Sequence, residues 1–442
     1  MSQSTTITQG QLNITTLGKP RLASPLPLST IPGDDIGDFV DDQMRLTYEP
    51  RFKQDEKLRE LSFELAGARR EIFFAPQDTT AAIVTCGGLC PGINNVIRSL
   101  VTELLLNYGI KRVLGIRYGY HGLNPAVGRP PLELTGELVE DIHHKGGTIL
   151  GTSRGHQEPQ VTVDYLESLG VNVLFCVGGD GTQRGAHAMA LEIAHRNLPI
   201  AVVGIPKTID NDIKYCYRTF GYATAVSEAE KVIDRAHVEA KSVLNGVGLV
   251  KLMGRHAGFI TAAATLASGV ANFVLIPEVP MELHGEHGFL AALQRRLQKK
   301  EHAVVVVAEG AGQHWLAEGP KEYDASGNLR LGDIGTFMQE AIKQNGKEVG
   351  NPTNVKYFDP SYHIRSVPAD AADSLLCEQL ARAAAHAGMA GKTDMLVGLW
   401  HNHLIHVPLA VSCSAKKQLS PEGELWMAVE ALTRQKRWYE GE

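Results

Sequence analysis

The sequence has few cysteines, no long apolar run and no block of like charge, and each shortage removes a class of protein. Cys86, Cys90, Cys176, Cys216, Cys377 and Cys413 are scattered through 442 residues. That spacing argues against a disulfide framework and points to a reducing compartment. Cys86 and Cys90 lack a second pair, so buried or loop thiols are expected there before a zinc site. No stretch approaches the roughly 20 apolar residues of a membrane span, and the N-terminus has no basic segment followed by an apolar run. The expected location is the cytoplasm, with no membrane partner. The 43 basic and 49 acidic residues sum to −6 without long runs of either sign. No face is therefore built for nucleic acid, and any phosphate site must be local.

What the chain does have is length, glycine and pattern. Its 442 residues exceed one ordinary core and predict two or three folding units, and its 45 glycines fit an α/β protein with tight loops. Residues 1–78 are Ser/Thr/Pro-rich and then charged, which reads as an extension wrapped over the core or partly mobile. Beyond residue 80, short apolar runs alternate with helical periodicity, the pattern of repeated βαβ units. Strands are expected at 82–85, 112–116, 173–177, 200–205, 247–252, 273–276, 304–308 and 395–399, with helices at 184–196, 224–241, 288–300 and 369–387. So many strands predict two doubly wound, Rossmann-like parallel-sheet lobes sharing a cleft, with ligands at strand C-termini.

Five strings fall where such a fold would bind something. In 85–94, Gly87 and Gly88 let backbone N–H groups approach an anion, although a tight strand-to-helix turn would use the same residues. In 177–182, Gly179, Asp180, Gly181 and Thr182 make a phosphate cradle with a carboxylate able to hold Mg²⁺. In 206–212, an extended backbone would turn Asp210 and Asp212 to one side, as a general base and its partner; an Asx-rich turn is the alternative. In 251–258, Gly254 permits close approach and Arg255 offers a donor fork, or simply a structural arginine. Glu309 suits sugar hydroxyls, while Lys356, Tyr362 and Arg365 suit a terminal phosphate. His401, His403 and His406 alternate near the C-terminus, with metal ligation the less favoured reading. His143 and His144 read as a solvated helix end.

The ordered set of Gly-Gly-x-x-Pro-Gly-x-Asn (87–94), Gly-Thr-Ser-Arg (151–154), Gly-Gly-Asp-Gly-Thr (178–182), Pro-Lys-Thr-Ile-Asp-Asn-Asp (206–212), Met-Gly-Arg (253–255) and Ala-Glu-Gly (308–310) resembles the 6-phosphofructokinase family across residues 80–415. The resemblance implies phosphoryl transfer from Mg·ATP to the 1-hydroxyl of fructose 6-phosphate. By position, Asp210 matches the family's general base, with Gly181, Lys207 and Arg255 in the catalytic set, and Asp180 matches its Mg²⁺-linked carboxylate. Gly87, Gly88, Tyr120, Arg154, Gly155, Gly179, Asp180, Gly181 and Thr182 match the nucleotide site. Thr208, Asp210, Asp212, Met253, Gly254, Arg255, Glu309, Lys356, Tyr362 and Arg365 match the sugar-phosphate site. The lobes implied are 79–221, with 369–415 returning to it, for the nucleotide, and 222–368 for the sugar phosphate; 416–442 is a tail. A homodimer or homotetramer is implied. Gly246 stands where some bacterial members carry an arginine that reaches a neighbour's site. Gly181 leaves room for ATP where pyrophosphate users usually carry Asp, whereas Lys207 is typical of pyrophosphate users and also accompanies Gly in plant and trypanosomatid ATP enzymes. ATP is the expected donor and pyrophosphate the alternative. A lipid or dinucleotide kinase and a non-catalytic sugar-phosphate sensor are the readings from other classes.

Overall fold

Valine and isoleucine dominate the short apolar runs, and their stiff branched side chains suit strands covered on both faces. The computed structural model describes residues 7–51, 61–316, 322–323 and 329–435. In it, every residue of Thr80–Thr85, Val173–Gly178 and Ala201–Pro206 is buried. The chain falls into two units. One takes residues up to Thr208, then Ile213–Gly221 and Pro368–Lys416; the other takes Ile209–Asp212, Tyr222–Val367 and the chain from Lys417 on.

Among the described residues, the first unit has a nine-stranded sheet in the order Arg45–Thr47, Ser62–Leu65, His403–Pro408, Met395–Trp400, Ala201–Pro206, Val173–Gly178, Thr80–Thr85, Arg112–Ile116, Leu132–Leu134. The strands from Met395–Trp400 to Arg112–Ile116 are parallel, and antiparallel strands finish both edges. Helices cover the sheet, including Ile93–Thr102 and Ala371–Met389, the latter capped by Asp370 accepting from the Asp373 amide at 2.8 Å. Among the described residues, the second unit has a four-stranded parallel sheet, ordered Phe273–Leu275, His302–Ala308, Gly246–Leu252, Asn354–Phe358. Leu249, Phe289, Leu293, Val305 and Met338 share its core.

The expected strands are present within a residue or two of their predicted bounds, but the extension behaves differently. Rather than lying over a finished core, Ser62–Leu65 pairs with His403–Pro408 and continues the sheet, burying Phe63 completely. Tyr48, Phe63, Tyr215 and Trp400 pack their rings at 5.7–6.4 Å. Beside them Glu64 Oε1 faces His406 Nδ1 at 2.9 Å, Lys392 Nζ at 2.7 Å and Arg69 Nη2 at 3.0 Å. Burial pushes His406 down to about 4, so near neutral pH the uncharged ring donates to Glu64. His406 thus serves the extension, and His403 is exposed on the other side of the strand. The expected tail is packed as far as it is described: Gln435 pairs through its side-chain amide with both backbone groups of Val274, at 3.0 and 3.1 Å. Residues 436–442 lie outside the described residues.

Candidate active site

In the first unit, parallel register decides which loops meet. Thr85 is level with Val177, and Gly178 with Pro206, so the loops after three buried strands begin at one sheet edge. The Cys86 amide donates to Val177 O and the Lys207 amide to Gly178 O, both at 3.0 Å. Gly87 has φ +85°, which favours glycine. Its amide, however, donates to Ser153 O at 3.1 Å, and its carbonyl accepts from Thr152 Oγ1 at 2.6 Å. Gly87 therefore ties down the 151–155 turn, on which Arg154 and Gly155 are exposed, and its N–H is not turned to an anion as the sequence suggested. Lys207 is 4% exposed, and its ammonium donates to Gly88 O at 2.6 Å.

The Gly178–Thr182 string crosses a strand end into a helix. The helix spans Asp180–His195 with extended Gly179 as its cap, starting four residues before the predicted 184. Asp180 in the first turn complements the positive helix end, which offsets the cost of about 1 kcal/mol for a helical glycine at 181. The glycines here are not equivalent. A Cβ on Gly178 would sit 2.1 Å from Thr182 Oγ1, and one on Gly179 would come 3.4 Å from Lys207 O. A Cβ on Gly181 would meet nothing within 4 Å. Two buried side chains brace the turn from behind. Gln183 Nε2 donates to Gly178 O at 2.9 Å and Ile205 O at 3.2 Å, and Tyr120 OH donates to Thr182 O at 2.6 Å. Tyr120 is 8% exposed and its hydroxyl is spent on the backbone; it supports the cradle.

Asp180 Oδ2 is buried and makes no directional hydrogen bond, but lies 2.5 Å from Arg184 Nη1 one helical turn on. The residues fit a Mg²⁺ carried with a polyphosphate: a hard carboxylate oxygen beside a backbone cradle, with Mg²⁺ commonly held by one or two carboxylates plus phosphate oxygens. Among the described residues no group of three His, Cys, Asp or Glu is placed to hold a metal alone, and such a substrate-borne ion needs none.

In the second unit, the third and fourth motifs meet through the backbone. The Glu309 amide donates to Leu252 O at 2.9 Å, and the Gly310 amide to Gly254 O at 3.1 Å. Gly254, at φ +133°, would bring a Cβ within 2.6 Å of Ala257 O. Burial raises the Glu309 carboxyl above the ordinary range against the opposing charges of Arg255, Lys251 and Arg365. Arg255 Nη1 donates to Leu329 O at 2.5 Å, and the Arg365 guanidinium stands 4.8 Å from the ring centre of Tyr362, itself 73% exposed. Met253 follows the Gly246–Leu252 strand directly.

Two expectations are corrected. Lys356 is level with Gly248, and Gly248 with Val304. At about 3.3 Å per residue that is roughly 16 Å before Glu309, so Lys356 is not brought to this strand end. Lys251 is there instead, 2.8 Å from Asp359 and 3.3 Å from Asp333. The 206–212 segment is also not extended: a turn at 209–210 and Asn211 at φ +55° break the alternation. Asp212 is 9% exposed with its carbonyl accepting from the Lys417 amide at 2.9 Å, whereas Asp210 is half-buried. Thr208 O accepts from Thr219 Oγ1 at 2.7 Å. At Gly246 a Cβ would sit 2.0 Å from Ala240 O, so no arginine fits. Sequence reading took in Lys251 as the start of the 251–258 string without a role, and missed Gln183 and Arg184; of those two only Arg184 left a signal, its four-residue spacing from Asp180.

Residues 80–388 match the family model described as Phosphofructokinase. The ATP-dependent 6-phosphofructokinase of Borreliella burgdorferi is 44% identical over 430 residues, 96% of each chain. That of Amycolatopsis methanolica is 49% identical over 85% of this chain and 83% of its own, and that of Trypanosoma brucei brucei 46% over 90% and 82%. Among solved structures, a pyrophosphate-dependent phosphofructokinase from Marinobacter aquaeolei superposes with a TM-score of 0.67 at 19% identity, over 80% of this chain and 91% of that one. Strand-end loops, glycine spacing and near-full-length identity agree, and the chain belongs to the phosphofructokinase family.

Proposed function

We propose that the protein is an ATP-dependent 6-phosphofructokinase, phosphorylating the 1-hydroxyl of fructose 6-phosphate to give fructose 1,6-bisphosphate. The observation that carries this reading is that relatives matching 82–96% of the chain bear the ATP-dependent name. The open volume at Gly181 supports the same donor, since a larger residue there would fill the space beside Asp180.

Phosphoryl transfer asks a protein mainly for positioning and for charge stabilisation. The Gly178–Thr182 cradle binds the donor phosphates, braced by Tyr120, Gln183 and the Lys207–Gly88 contact. Arg154, exposed on its turn, offsets charge on the transferring oxygens. Glu309 accepts from sugar hydroxyls, and Arg255 and Arg365 hold the 6-phosphate, with Met253, Gly254 and Tyr362 shaping the pocket around them. Asp210 takes the proton of the 1-hydroxyl as it attacks. Asp180 would hold Mg²⁺, which supplies neutralisation of phosphate charge when bound. Among the described residues no helix is long and apolar enough to cross a membrane, and we place the enzyme in the cytoplasm as a homodimer or homotetramer, a question for light scattering.

A coupled assay offering each donor separately tests the reading. ATP should support turnover and pyrophosphate should not; a higher kcat/KM with pyrophosphate would assign the chain to that donor, the alternative Lys207 keeps open. Binding of both ligands without product would make it a sensor.

A further inference from the structure

Resting on the reading of Gly178–Thr182 as the donor cradle, we infer that Arg184 is an exchangeable counter-ion: it neutralises Asp180 while no metal ion is held there, and passes to the phosphate chain when the metal–donor complex arrives. A buried carboxylate oxygen needs a positive partner, and Arg184 Nη1 at 2.5 Å from Asp180 Oδ2 supplies one. The pairing is close but not directional, since that oxygen makes no hydrogen bond of proper geometry. Arg184 is also 54% exposed, against 14% for Asp180. A four-residue helical pair with one partner so exposed biases an equilibrium only about twofold, so a divalent cation displaces it readily.

A metal ion on Asp180 and a guanidinium 2.5 Å from the same oxygen are mutually repelling charges, and one must leave. The arginine is the one with somewhere to go. Its own helix start has open space at Gly181, where donor phosphates would lie, and a guanidinium offers five N–H donors to phosphate oxygens. Asp394, which acts with Asp180 and Arg184 on Cys413, is already paired, its Oδ1 lying 2.7 Å from His187 Nδ1. The sequence places all three parts, Asp180, Gly181 and Arg184, on the first turn and a half of one helix, so the exchange requires a side-chain rotation alone.

The test reads metal and donor binding with no turnover. Mn²⁺ binding to the whole protein without nucleotide is followed by water-proton relaxation, and binding of a non-hydrolysable ATP analogue with Mg²⁺ by calorimetry. In R184M, Mn²⁺ should bind about two- to threefold tighter, because its competitor is gone, while the Mg²⁺–analogue complex binds about 3- to 10-fold weaker; R184K should recover part of the second effect. A purely structural arginine would weaken both. Unchanged or weaker Mn²⁺ binding in R184M, no Mn²⁺ binding in either protein, or unweakened analogue binding overturns the inference. D180N separates the two levels. If it leaves Mg²⁺-dependent analogue binding intact, the donor-cradle reading itself fails; if it abolishes that binding while R184M shows no opposite shifts, only the exchange fails. Should R184M not fold, R184Q takes its place in the same measurements.

Discussion

The strand ends of the two units are built in opposite ways. In the first, Gly178 and Gly179 let the turn pack against Thr182 and Lys207, Gly181 leaves open space at the helix start, and the bulky side chains, Tyr120, Gln183 and Lys207, are buried behind the turn holding backbone carbonyls. In the second, charged side chains stand at the strand ends: Arg255, Lys251 and Arg365 act on Glu309. A backbone cradle suits a polyphosphate, whose oxygens are alike and numerous. Side chains suit a sugar phosphate, whose hydroxyls and single phosphate need placed partners. If this division is right, damage to each unit should register in the affinity for one substrate and spare the other.

Asp210 belongs to neither style and gives the largest expected effect. As general base, Asp210→Asn should lower kcat by about 10²–10⁴, with the KM for both substrates little changed. Near-normal turnover would remove it from that role; a rise in one KM at constant kcat would make it a binding group.

Gly181→Asp attacks the cradle next. The site is helical and a Cβ there is unobstructed, so the variant should fold with an almost unchanged melting temperature. Its carboxylate would stand where the donor phosphates would lie, and two like charges about 4 Å apart cost about 1–4 kcal/mol. The KM for ATP should rise roughly 10- to 100-fold and that for fructose 6-phosphate stay put. Gly178→Ala is the contrast. Its Cβ would be 2.1 Å from Thr182, so it should lose melting temperature as well as donor affinity. Equal melting curves for the two would mean that the difference between these glycines has no energetic weight.

The comparison also marks what could be read from sequence. Glycine and aspartate at strand ends were legible, because phosphate chemistry needs those residues locally; so were the buried valine-rich strands. Lys356 was misplaced because register between strands a hundred residues apart is invisible in one chain's alternation. Asp212 was misjudged because the left-handed Asn211 reverses what an extended backbone would do. The extension's Phe63 and Glu64 find their partners more than 300 residues away, at Trp400 and His406, which no local pattern announces.

A pH titration sharpens the second unit's half. Burial raises the Glu309 carboxyl, so falling pH protonates it before an ordinary glutamate, and the neutral form loses its strength as an acceptor. KM for fructose 6-phosphate should therefore climb as pH falls through that raised value, by about tenfold for one charge-assisted hydrogen bond. The sugar phosphate itself titrates near pH 6. Glu309→Gln keeps that titration and removes the enzyme's share, so its profile should be flatter and uniformly weaker; identical profiles would place the transition in the substrate. The KM for ATP should not follow either curve.

The smallest effect tests whether the buried braces matter at all. Tyr120→Phe removes only the hydroxyl that reaches Thr182 O at 2.6 Å, and leaves the ring that packs within 2.5 Å of a Cβ placed on Gly185. One buried hydrogen bond is worth about 1 kcal/mol, and an orphaned acceptor somewhat more. If that energy holds the cradle in its binding shape, the KM for ATP should rise about fivefold while the KM for fructose 6-phosphate and the response to pH remain those of the parent. If it serves only the fold, melting temperature alone should fall. A change in sugar affinity instead would mean that the first unit's backbone also governs the second unit's side chains, and the division of labour between them would have to be abandoned.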